Sequence, residues 1–220
     1  MPKFVKTLIA RHRAFWTQKN LWILAKVLGL QIISLVVLSF ANRYTDHVAT
    51  VPVGDLFLDH LPSIDIDFFV VQGALLLTAI IFVLAMWKPK YLLFSLATIA
   101  LFTITRSFFI SLTHIGLDPK QVSLDTNAFG FGLYNVLFNY KSDLFFSGHT
   151  GLPFLMGLVF RPEKNWSRFF FIISVCMGAS VLLSHIHYSI DVFAAPFMAF
   201  GVYSIAKKIF PEEYSLTQKD

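Results

Sequence analysis

The stretch KSDLFFSGHTGLPFLMGLVF, residues 141–160, decides how the rest of the chain is read. From Leu152 onward it is apolar enough for hydrocarbon, yet Ser147, Gly148, His149 and Thr150 stand at its threshold. A serine there is ordinary as a helix cap, because its oxygen accepts a hydrogen bond from an amide of the first turn. Glycines at 148 and 151 permit close backbone approach, and Pro153 is tolerated because first-turn amides lack helical partners. The imidazole has no such routine explanation. The apolar part announces a membrane helix, and the polar part marks where chemistry would sit.

Composition agrees with a membrane. Of 220 residues, 56% are hydrophobic and 14% charged, where a soluble domain carries about 25% charged residues. A span needs about 20 mostly apolar residues, and six runs qualify or come close: 21–41, 68–87, 91–113, 147–160, 169–184 and 189–206. The fourth and fifth are short. The expected fold is an all-α integral membrane protein, a six-transmembrane-helix bundle. Residues 1–20 form a basic amphipathic segment, 21–210 the catalytic membrane domain and 211–220 a polar tail. The first apolar run exceeds the 7–15 residues of a signal core, and some twenty residues precede it, so it reads as retained. One cysteine, Cys176, allows no intrachain disulfide.

Charge orients the bundle. Lys3, Lys6, Arg11, Arg13 and Lys19 precede the first span, and Lys88 with Lys90, Arg161 with Lys164 and Arg168, and Lys207 with Lys208 follow on the same side. Opposite them stand only Arg43, Lys120 and Lys141, among Asp46, Asp55, Asp59, Asp65, Asp67, Asp118, Asp125 and Asp143. Basic residues at span ends mark the cytoplasmic face, so both termini are expected there. The net charge of +5 is thereby explained by topology, with no need of nucleic acid as a partner.

On that map His149, His185, His187 and Asp191 fall at the non-cytoplasmic surface. Arg106 lies seven residues before Thr113, roughly 10 Å inside the third span at 1.5 Å per residue. His187 and Asp191 are spaced i, i+4 and share a helix face. A carboxylate on one imidazole nitrogen fixes the tautomer and aims the other lone pair outward, which suits a nucleophile toward phosphorus. His149 could move the proton of the leaving and entering alcohols. Arg106 offers a planar donor fork, and amides around Ser147 and Gly148 an anion cradle. Each residue also has a plain structural reading: Ser147 a cap, a lone histidine an interfacial side chain, His187–Asp191 interhelical glue. Intramembrane Arg106 is the hardest to read that way.

The motifs resemble a known family. SGHT at 147–150 and HYSIDV at 187–192 resemble the signatures of the type-2 phosphatidic acid phosphatase superfamily, and are most similar to its sphingomyelin-synthase-like branch. Asp143 stands ahead of SGHT as in that branch, and the Arg106-to-Thr113 stretch is a weaker match. The resemblance implies a six-span bundle of that superfamily's kind and a phosphohistidine on His187, oriented by Asp191, with His149 as acid/base. It also implies that Asp143, Ser147, Gly148, Arg106 and Tyr188 lie around the phosphate. No metal or other cofactor is implied. The partners implied are membrane lipids: a phospholipid donor and a lipid alcohol or water as acceptor. The arginine six residues before the nucleophile in the hydrolytic branch is Val181 here, which favours transfer over hydrolysis.

Two further readings compete. His114, His149, His185, His187 and Asp191 could be metal ligands, although histidines two apart on a helix diverge. Arg106 and Asp191 could instead line a transport path.

Overall fold

The computed structural model describes residues 3–48, 51–137 and 144–218. Among them nine helices form: α1 (Lys3–Phe15), α2 (Gln18–Val48), α3 (Asp67–Trp87), α4 (Pro89–Leu112), α5 (Phe131–Leu137), α6 (Gly148–Val159), α7 (Lys164–Leu183), α8 (Ser189–Ile209) and α9 (Pro211–Thr217). Five of these, α2, α3, α4, α7 and α8, are long and apolar enough to cross a membrane, so the chain is a multi-pass integral membrane protein. The expected fourth span, at 147–160, is only the 12-residue α6. It is about 18 Å long at 1.5 Å per residue, short of a hydrocarbon core of about 30 Å. Its start is set by the Ser147 cap, and Arg161 and Pro162 follow its end.

Helix α4 is the spine. Pro89 opens it, with φ already suited to a first turn. Tyr91, Leu93, Phe94, Ala97, Ala100 and Ile110 are fully buried along it, against α2, α3, α6, α8 and α9. Its partner α6 approaches closely at Gly151, where a Cβ would stand 2.7 Å from the Phe102 ring. That position accepts no side chain without moving the ring. At Gly148 the same test meets the Arg106 guanidinium at 3.6 Å, an ordinary contact, so the close approach expected of both glycines belongs to Gly151.

The two ends of the bundle differ. At the basic end, Lys88 before α4 pairs with Glu163 before α7 at 2.6 Å. Helix α1 docks there through His12 to the Met86 carbonyl at 2.7 Å and Arg11 to the Trp87 carbonyl at 3.4 Å. Residues 211–217, read as a polar tail, form α9 instead. Its Tyr214 rests against Phe94 and Tyr203, because a helical turn turns its aromatic toward α4 while Glu212 and Glu213 occupy the first turn.

At the other end, two connecting segments lie over α7 and α8. Val51 bridges Ile115, the Ile64 and Val122 amides donate to the Leu183 and Ser184 carbonyls, and Ser63 Oγ donates to the Lys120 carbonyl. Asp55 holds the start of α8: its carboxylate accepts from Phe57, Leu58 and Ser189 amides at 2.9, 3.1 and 2.6 Å. Burial works to raise the Asp55 pKa, but these three amides outweigh it and hold it below the ordinary carboxylate value.

Candidate active site

The sharp turn between α7 and α8 aims His187. The Ile186 and His187 amides both donate to the Val181 carbonyl, and His185 takes a left-handed φ of 55°. Its ring, buried, lies 3.4 Å from Asp118. Helix α8 then starts, and Asp191 stands one turn along it. His187 Nδ1 lies 3.3 Å from Asp191 Oδ2, which also accepts from the Tyr188 amide at 3.1 Å. The carboxylate thus sets Nδ1 as the protonated nitrogen and leaves Nε2 as the lone pair.

The two motifs are joined by backbone. The Ser147 amide donates to the Asp191 carbonyl at 2.9 Å, and Ser147 Oγ accepts from Thr150 as the α6 cap. Ser174 of α7 donates to the Thr150 carbonyl at 2.7 Å, locking the first turn of α6. His149 is thereby held with its ring centroid 6.1 Å from that of His187, the planes at 64°. Both rings border the same cavity. Arg106, six residues before the end of α4, donates from Nε to the Phe146 carbonyl at 2.7 Å, so its guanidinium lies against the first turn of α6.

His149, His187, Arg106 and Gly148 all line one cavity of about 750 Å³. Outward it reaches Asp118, Gln121, Ser123 and Thr126; inward it continues between α2, α3 and α4 past Leu77, Ile81 and Ile99. A polar mouth thus leads through the histidine pair into an apolar channel.

Not every expected residue joins this group. Tyr188 was read as a phosphate neighbour, but its hydroxyl donates to the Gly116 carbonyl at 2.9 Å and accepts from the Val53 amide at 3.3 Å. It ties the outer segments to α8, since a side chain at the cap position turns away from the helix axis. Asp143 lies outside the described residues. Among the described residues no three of His, Cys, Asp or Glu gather where they could hold a metal; His114 meets Tyr44 instead. One member was not foreseen. Tyr134 of α5 places its hydroxyl 3.2 Å from His149 Nε2, and its ring is buried against Val70, Val71, Ala74 and Met177. No spacing rule links it to His149, and only its aromatic character in a glycine-rich connector sets it apart.

Residues 142–208 match the family described as PAP2 superfamily C-terminal. The matched residues are similar to that family and include His149, His187 and Asp191. Arg106, Tyr134 and the whole of α2, α3 and α4 precede the matched PAP2 residues, yet they build the facing cavity wall. No curated protein and no solved structure matches the chain significantly.

Proposed function

We propose that the protein transfers the phospho-headgroup of a phospholipid to a lipid alcohol through a phosphohistidine, at a site that opens on the non-cytoplasmic side. His187 Nε2 attacks phosphorus, the N–P bond forms, and the P–O bond to the lipid breaks. Protonated His149 gives its proton to the leaving oxygen, releasing a lipid alcohol. The Asp191 carboxylate offsets the positive charge left on the His187 ring. In the return step an incoming hydroxyl gives its proton to His149 and attacks phosphorus, and the N–P bond breaks. Arg106 and the amides opening α6 face the phosphate oxygens. The observation that supports this best is the 3.3 Å His187–Asp191 contact beside His149 on one cavity.

Hydrolysis is the same chemistry with water as acceptor. The polar space beyond the histidine pair, at Asp118, Gln121, Ser123 and Thr126, supports a donor that carries a headgroup on its phosphate. The test supplies head-group-labelled phospholipid to the purified chain in proteoliposomes, with and without ceramide or diacylglycerol. Label in a new lipid supports transfer; label in water only supports hydrolysis; no release from any lipid removes both.

A further inference from the structure

Below the histidine pair the cavity carries polar groups that the phosphoryl chemistry does not use. Gln31, Thr78 and Thr103 line it from α2, α3 and α4. Gln31 shares its α2 face with Leu35 and Leu38, which line the same cavity at one and two turns' spacing. Helices α2 and α4 run parallel, and Tyr44 meets His114 seventy residues on, with Ile23 and Val27 clustering with Leu93 and Ala97. Gln31 therefore stands level with Leu101. At 1.5 Å per residue, Thr103 and Gln31 lie roughly 5 and 8 Å deeper than Arg106. Thr78 lies one turn deeper than Ala74, to whose carbonyl its hydroxyl donates.

Two of the three have no protein partner. Gln31 Oε1 is buried without a hydrogen bond among the described residues. Along α4, Thr98, Thr105, Ser107 and Ser111 each donate to the carbonyl four residues back; among the described residues Thr103 makes no side-chain bond of this kind. An unpaired buried polar group costs about 1–3 kcal/mol, and a glutamine serving as interhelical glue would bond its neighbour. Gln31 borders the cavity as a residue, so its carboxamide stands beside that space.

We infer that Gln31, Thr78 and Thr103 form a neutral collar that receives the ester or amide linkage of a two-chain phospholipid. None of the three is charged, so the group they suit is neutral. That linkage lies four or five bonds from phosphorus, on the order of 5 Å at ordinary bond lengths, which matches the collar's depth below Arg106. A phosphate on a plain hydrocarbon chain leaves the collar unpaired and is disfavoured. The position of phosphorus here rests on the function proposed above.

The experiment uses the full chain carrying His187→Ala, so that lipid is bound and not consumed. Titration calorimetry compares short-chain diacylglycerol phosphate, ceramide phosphate and the carbonyl-free dialkyl ether phosphate. The ester or amide lipid binds about tenfold more tightly than the dialkyl compound, the scale of one hydrogen bond. Adding Gln31→Met or Thr103→Val, both close in shape, compresses that ratio toward one, with thermal melting as the check on folding. Equal affinities in the intact collar overturn the inference, as does a ratio that survives both substitutions. Collar preference without cleavage by the wild type removes the proposed function and keeps the collar. Equal kcat/KM of the wild type on diacyl and dialkyl phosphates does the reverse, and needs no variant.

Discussion

Residues 142–208, the part similar to the PAP2 family, and the helices before it contribute to one cavity by different physics. In that matched part several buried polar groups bond one another: Ser147 to Asp191, Ser174 to Thr150, Asp191 to His187 and Tyr188. In the preceding half, α2 is the more apolar of the pair α2 and α4, yet only 17% of its spanning window is buried against 56% for α4. Ile32, Ile33 and Phe40 on α2 face outward. In lipid a leucine gains little by hiding, so apolarity marks the rim of the bundle, and hydroxyls and small residues mark its centre. In the proposed reaction the matched part holds the reacting atoms in place, and the preceding helices shape what reaches them.

That contrast is broken most directly at His187. His187→Ala is expected to lower headgroup release by at least about a thousandfold, as losses of a nucleophile do, while detergent melting stays close to wild type. Asp191→Asn keeps the shape and loses the tautomer control, and should cost about a hundredfold or more. For His149→Ala the expected loss is 10²–10⁴-fold, roughly, on an alkyl ester. It should shrink sharply on a nitrophenyl ester, whose leaving group needs no proton; equal losses on both substrates would remove the acid role.

Stability sharpens the same comparison. Gly151→Val, at the 2.7 Å approach to Phe102, should cost about 1–3 kcal/mol by overpacking, read as a lower melting temperature. Asp55→Asn should cost about 2 kcal/mol, because its amide bonds are made to a charge. Its folded pKa lies below the usual 3.8, so the carboxylate's contribution is complete above that value and is lost as pH falls through the lower folded one. The wild type should lose melting temperature on acidification below about pH 4, and Asp55→Asn should lose less. Phe40→Ala, on the lipid-facing side of α2, should change melting by under about 0.5 kcal/mol.

Much of the bundle was legible without coordinates. The runs at 68–87, 91–113 and 189–206 correspond to α3, α4 and α8 within a few residues, because a hydrocarbon slab imposes length and apolarity on each helix separately. His187 and Asp191 were legible for a local reason too: four residues on one helix face must meet. Tyr134 and Gln31 were not, since nothing in a connector or an apolar run says which neighbour a side chain will face. Tyr188 was misplaced because a motif gives spacing and not direction, and its hydroxyl turns to Gly116.

By itself, then, the order of residues determined the membrane class, most helix limits, the clustering of basic residues and the His187–Asp191 pairing, all consequences of composition or of contacts within one helix. Tertiary structure alone decided that Arg106 lies against the start of α6, that Tyr134 reaches His149, and that Gln31 and Thr103 border the same space. Those depend on how helices far apart in the chain settle side by side, which packing chooses and periodicity does not.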